Sequence, residues 1–160
     1  MKGDGNMEKS YDVLVIAKWL INKLHPEPLK LQKLLYLAQG YSYAFYDKPL
    51  FKEEIEGWVH GPVVPSIYRI FSSYKYNPID ATYENVELSS EALEVLNYVV
   101  ENYGKYDGKY LEDLTHNQEP WIFSRKGLDS DERGARIIDK KDIANYFIND
   151  ILQPDVEEWD

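Results

Sequence analysis

Three histidines, His25, His60 and His116, and the absence of any cysteine bound the chemistry open to this chain of 160 residues. Without a thiol there is no disulfide, no thiolate metal ligand and no cysteine nucleophile. Covalent catalysis would need a serine or threonine activated by one of the three imidazoles. The G-x-S-x-G turn that exposes a nucleophilic serine does not occur. Neither does a phosphate cradle: Gly104-Lys105 and Gly108-Lys109 lack the glycine spacing before them and the Ser or Thr that a P-loop requires after them. Glu56 and His60 stand four apart, but Gly57, Gly61 and Pro62 argue against a helix there. On a strand that spacing keeps both side chains on one face. His116 could join them only through folding, so a hydrolase or nuclease built on Glu56, His60 and His116 is the enzymatic alternative. Asp129-x-Asp131-x-x-Gly134 opens like a calcium loop, yet Arg133 holds its fifth position and Lys140 its twelfth, where the bidentate glutamate belongs. Glu53-Glu54 and Glu157-Glu158 read as solvated surface rather than acid–base pairs. The residues assign no catalytic group, no metal and no cofactor.

What remains is three clusters of unusual local character. Leu31-Gln32-Lys33-Leu34-Leu35-Tyr36 leads into Ala38-Gln39-Gly40. Glu56-x-Trp58-x-x-Gly61-Pro62-Val63-x-Pro65-x-x-Tyr68 gathers aromatic, glycine and proline residues into one corner. Leu114-Thr115-His116 is followed by Pro120-Trp121. On physical grounds alone these read as a helix-packing seam, a rigid corner and a helix stop. The 14 tyrosines fit two uses, finishing a small core with their hydroxyls in water or supplying an interaction surface.

The elements that must position these clusters are mostly helical. Val13, Ile16, Ala17, Leu20, Ile21 and Leu24 form one stripe, predicting a helix over Tyr11–Leu24 capped by Ser10. His25-Pro26-Glu27-Pro28 ends it and starts a second over Leu29–Tyr46, with Leu31, Leu34, Leu35, Ala38 and Phe45 inward. Gly40, inside that helix, suggests the close approach of another backbone. Phe51 and Glu54 to Val59 alternate between Gly and Pro residues and read as one or two short strands. Pro65 opens a third helix, to Tyr74, with Ile67, Ile70, Phe71 and Tyr74 inward. Ser89 caps a fourth, Ser90–Tyr103, with the stripe Leu93, Leu96, Asn97, Val100 and Tyr103, stopped at Gly104. Shorter helices are predicted over Lys109–His116 and, after Asp139, over Lys140–Ile151, with Ile143, Phe147 and Ile151 inward. Residues 125–136 read as a polar loop. The expected fold is mainly α, a compact bundle of about six helices with a small β-hairpin-like element after the second. Residues 1–9 are expected to be a disordered start or remnant, 10–152 a single domain and 153–160 an acidic tail.

The formal charge of −10 argues against a broad nucleic-acid surface, because phosphate contacts need clustered Lys and Arg. No stretch is long and apolar enough for a membrane span or a signal peptide, so a cytoplasmic location is expected.

Taken in order, LQKLLYLAQG, EGWVHGPVVPSIY and LTHNQEPW resemble the Panacea domain of the SocA-like antitoxin family, over about residues 10–152. The resemblance makes Leu31, Gln32, Lys33, Leu34, Tyr36, Gln39, Gly40, Glu56, Gly61, Pro62, Pro65, Leu114, Thr115 and Pro120 residues of the family's motifs. It implies a binding protein that neutralises a cognate protein toxin by direct complex formation, in some members as an adaptor that delivers the toxin to a cytoplasmic protease. Phage-associated proteins belong to the same family, which is where the enzymatic alternative would sit. Trp58, His60, Tyr68, His116 and Trp121 are expected to gather around the Gly61-Pro62 corner as the partner-binding surface. An acidic surface would attract a basic toxin and raise the association rate. A homodimer is compatible with this reading; nucleic acid and membrane are not expected as partners.

Overall fold

The computed structural model describes residues 10–152, so the expectations for residues 1–9 and 153–160 fall outside them. Helix α1, Val13–Leu24, buries Val13, Ile16, Ala17, Leu20 and Ile21. Its cap is Asp12, which accepts the Leu14 N–H, and not the expected Ser10. The chain leaves α1 through His25 in the left-handed region, φ 45°, and Pro26 prevents the helix from resuming. Helix α2, Pro28–Tyr46, begins on the Glu27 cap with proline in its first turn, where a missing N–H costs nothing.

Every residue of α2 from Leu31 to Ser42 is buried, on all sides of the helix. Helix α2 is the axle of the molecule, and other helices pack around it. These are α4 (Ser90–Tyr103), α5 (Gly108–His116) and α7 (Lys140–Leu152), with α1 alongside. Burying a leucine or isoleucine fully is worth roughly 1.5–3 kcal/mol, and Leu31, Leu34, Leu35 and Leu37 are all at 0% exposure. Gly40 marks the tightest crossing. The neighbour is not a backbone, as its sequence context suggested, but the ring of Phe147 on α7, which occupies the space where a β-carbon would stand.

Between α2 and α4 the chain makes strands β1 (Glu56–Trp58) and β2 (Gly61–Val63), an antiparallel hairpin pairing Glu56 with Val63 and Trp58 with Gly61. Only Val59 and His60 form the turn, and Gly61 closes it at φ 109°, which glycine adopts freely. Pro62 lies on the outer strand, where its missing N–H breaks no ladder. A third strand, β3 (Arg136–Ile137), pairs with the other side of β1. It corrects the expected loop over 125–136: two exposed residues carry no hydrophobic period, and their pairing comes from β1 and from the Ile138 N–H donating to Ile55.

Helix α3 (Pro65–Phe71) continues as one 3-10 turn, Ser72–Tyr74, and buries Ile67 and Phe71 while Ile70 is exposed, against expectation. Helix α4 is rotated from the expected stripe: Ala92, Val95, Leu96 and Val99 face the core, and Asn97 faces out. A short helix α6 (Glu119–Ser124) follows α5, and α7 buries Ile143 and Phe147 but leaves Ile151 partly exposed. Among the described residues no helix is long and apolar enough to cross a membrane. The architecture is mainly α, with seven α-helices among the described residues and the small sheet after the second.

Candidate functional site

The polar residues of the first sequence cluster do not face water. Gln32, Lys33, Tyr36 and Gln39 lie at or below 5% exposure, and each fastens a different irregular segment to α2. The Gln32 amide bonds Val64 twice, accepting its N–H at 2.7 Å and donating to its carbonyl at 3.2 Å, at the residue that starts α3. Lys33 donates to the Pro62 carbonyl at 3.0 Å. Tyr36 donates to Gln118 at the head of α6, at 2.8 Å. Gln39 accepts from the Leu50 and Phe51 amides and donates to the Phe51 carbonyl. Buried polar groups are tolerated when bonded, and here they set the position of the hairpin from within.

Helices α5 and α6 hold the hairpin from the other side. The buried Glu112 carboxylate accepts the Nδ1–H of His60 at the hairpin turn, at 2.9 Å. His116, one turn after Glu112, donates its Nε2–H to the Val59 carbonyl at 3.0 Å. Burial lowers the pKa of His116 against the pull of Glu112 and of the Val59 carbonyl, which favours the neutral ring, its one proton on Nε2. Its ring stacks on Trp121, with centroids 4.2 Å apart, and the Trp121 indole donates to the Trp58 carbonyl at 2.8 Å. Two turn carbonyls are thereby satisfied by side chains from α5 and α6. Arg125, read as part of a loop, is 5% exposed: it lies 5.6 Å over the Trp121 ring and donates to the Asp129 and Glu132 carbonyls.

Lys33 is the electrostatic oddity. It is fully buried, and desolvation brings its pKa down to about 7 although Glu112 pulls the other way. A β-carbon on Gly61 would stand 2.6 Å from its Cε, so glycine is required there by both backbone and space.

On the outer side, Trp58 packs edge-on against Tyr68 of α3 with centroids 5.1 Å apart. Trp58, His60 and Tyr68 line a broad groove of about 1230 Å³ that continues along the start of α2, the start of α5 and the 133–135 segment. The five residues expected at the corner are thus brought together in two layers. Trp58, His60 and Tyr68 face the groove, whereas Trp121, 9% exposed, and His116 lie behind the hairpin. Glu56 accepts a bond from the Trp58 indole at 2.9 Å, and the acid that meets both His60 and His116 is Glu112. Sequence reasoning missed Glu112, although Glu112 and His116 stand four apart on a predicted helix and share a face. Among the described residues no group of three or more His, Cys, Asp and Glu could hold a metal ion.

A family model described as antitoxin SocA-like, Panacea domain, matches residues 31–122, more than half of the chain. The antitoxin SocA of Caulobacter vibrioides (strain NA1000 / CB15N) is 37% identical over 70 residues, 41% of this chain and 37% of that relative, so the chain covers well under two thirds of the relative's length. No solved structure matches at a significant level. The matched stretch holds the hairpin, the Gln32 to Gln39 bonds and the α5–α6 brace, and it ends at Ile122.

Proposed function

The chain belongs to the SocA-like Panacea antitoxin family, and from that premise we propose that it neutralises a cognate protein toxin by forming a complex with it. It acts as a binding protein and not as an enzyme, in the cytoplasm, and the complex is the form in which a protease would receive the toxin. The observation that carries this reading is the groove wall: Trp58 lies on a hairpin tied down by bonds from α2, α5 and α6, and Tyr68 of α3 packs edge-on against it. Rigid aromatic anchors lose little entropy on binding, which is why such residues dominate interface energetics. At about 1230 Å³ the groove exceeds the roughly 300–1,000 Å³ of ordinary small-molecule sites and suits a segment of protein.

The test is co-expression with the protein encoded by the neighbouring gene, reading growth and recovery of a stoichiometric complex. The intact chain is expected to relieve toxicity and to co-purify with that protein. Trp58→Ala and Tyr68→Ala are expected to retain the wild-type circular dichroism spectrum and lose the complex. If both variants fold and still bind, the groove wall is not the interface.

A further inference from the structure

The groove does not share the acidic excess of the protein around it. The chain carries 28 acidic and 18 basic residues, yet the groove sets Lys75, Lys109 and Arg133 against Glu27, Asp107 and Glu112, three of each sign, with Lys33 buried behind them. The three acids already have partners within the chain. Glu27 accepts the Lys30 N–H at the start of α2, Asp107 accepts the Tyr110 N–H at the start of α5, and each helix N-terminus offsets the carboxylate that caps it. Glu112 is 5% exposed and holds His60. The cations are open by comparison. Lys75 and Arg133 are exposed and make no ion pair with any described residue. Lys109 meets the exposed Asp113 at 3.4 Å, a contact that contributes little in water, and stands 3.9 Å from the buried Glu112. Lys75 also sits at φ 57°, ψ −113°, a backbone region that side-chain-bearing residues rarely adopt. Beside these cations lie Trp58, Tyr68 and Tyr76, the last 93% exposed.

We infer that the groove takes an acidic, extended segment of the partner protein, its carboxylates pairing with Lys75 and Arg133 and a large apolar side chain packing on Trp58 and Tyr68. This rests on the complex-forming role given above and names the chemistry of the segment recognised. A few carboxylates on a protein suit the groove better than a polyanion does. Every added phosphate of a nucleic acid would meet the net charge of −10, whereas a partner that is basic elsewhere would still be drawn in. At physiological ionic strength screening acts over about 8 Å, so the groove's own charges decide the docking step.

The experiment selects binders to the full chain from a random dodecapeptide library. The enriched peptides are then titrated by fluorescence anisotropy against the wild type, a Lys75→Glu/Arg133→Glu variant, and a Lys52→Glu/Lys141→Glu control whose cations lie outside the groove. Enriched peptides are expected to be net acidic with Trp, Phe or Leu. They should bind at least tenfold more weakly to the groove variant and equally well to the control, with circular dichroism and melting temperature unchanged in both. A basic or neutral enriched pool, no enrichment, full binding by the groove variant, or tighter binding of a labelled single-stranded dodecanucleotide overturns the inference. Co-expression of the same variants separates it from the parent reading. A toxin complex that survives the groove reversal sinks this inference and leaves the antitoxin role standing. Acidic-peptide binding without any toxin complex does the reverse.

Discussion

The fully buried Lys33 makes the stability of this fold depend on pH in a window where few proteins respond. An unfolded lysine titrates near its ordinary value of 10.5, and desolvation brings Lys33 down to about 7 in the folded chain. Between those values the unfolded chain holds a proton that the folded chain has largely released, so stability must rise with pH. The slope approaches about 1.4 kcal/mol per pH unit, and integrating from about pH 7 to about pH 9 gives a gain of about 2 kcal/mol. Other shifted groups act elsewhere. His116 is lowered from 6.5, so its contribution is complete above that value and is lost as pH falls below it. The tyrosines raised by burial, Tyr36, Tyr41 and Tyr103 among them, cost stability only as pH climbs through 10 and beyond. Lys30 is lowered too, chiefly by partial burial, and adds a small slope of the same sign near the top of the window. Urea unfolding at three pH values across it should show the midpoint rising with no change in m-value. Lys33→Met keeps the side-chain volume, leaves the Pro62 carbonyl without a donor at a cost of about 1–3 kcal/mol, and should remove most of the slope. A wild-type stability flat to within about 0.5 kcal/mol, or an undiminished slope in Lys33→Met, refutes the reasoning.

Three further substitutions probe the positions on which the hairpin and the axle depend. Gly40→Ala would place a methyl 2.2 Å from Cδ2 of Phe147. It should cost about 3 kcal/mol or more, with Phe147→Leu in the same chain recovering part of the loss in thermal melts. Gln39→Leu deletes three bonds to the Leu50–Phe51 backbone. A loss of about 3 kcal/mol in urea unfolding is expected, together with faster amide exchange at those two residues. Gly61→Ala meets both a φ of 109° and the Lys33 side chain at 2.6 Å, and should destabilise by about 2 kcal/mol or more and shift the Trp58 and Trp121 fluorescence.

Much of this fold can be read along the chain, and the parts that cannot share a physical cause. The end of α1 and the start of α2 follow from His25-Pro26-Glu27-Pro28, and the boundaries of α4 from Ser89 and Gly104, because capping and proline chemistry are local. Strand β3 is invisible because its two residues are held by β1, roughly eighty positions earlier in the chain. The inward face of α4 differs from the expected stripe because Leu93 outranks Ala92 in size and Val99 cannot be told from Val100 by type, while the closeness of α2 decides which residues fit. The same holds at the site. A hydropathy pattern places Gln32, Lys33 and Gln39 at the surface, and only the distant carbonyls and amides they meet explain their burial. Trp58 with Tyr68 and His116 with Trp121 could be grouped from their motifs. The carboxylate joining His60 to His116 is only half legible: Glu112 stands four before His116 on one helix face, but nothing local ties it to His60, 52 positions earlier.

Apart from the His60–Glu112 pair, the bonds that fix the hairpin end on backbone atoms. Gln32 holds the amide and carbonyl of Val64, Lys33 the carbonyl of Pro62, His116 that of Val59 and Trp121 that of Trp58. A donor aimed at a carbonyl does not sense which side chain that residue carries. These bonds therefore fix where the hairpin lies and leave its side chains at Trp58 and Val59 free to differ without loosening them. Lys75 and Arg133 are equally detached, since they bond to none of the brace, and Arg133 lies beyond the stretch that matches the family model. A scaffold built this way can keep its interior while its contact surface is rewritten. The side chains that face the groove are thus separable from the bonds that hold its wall in place.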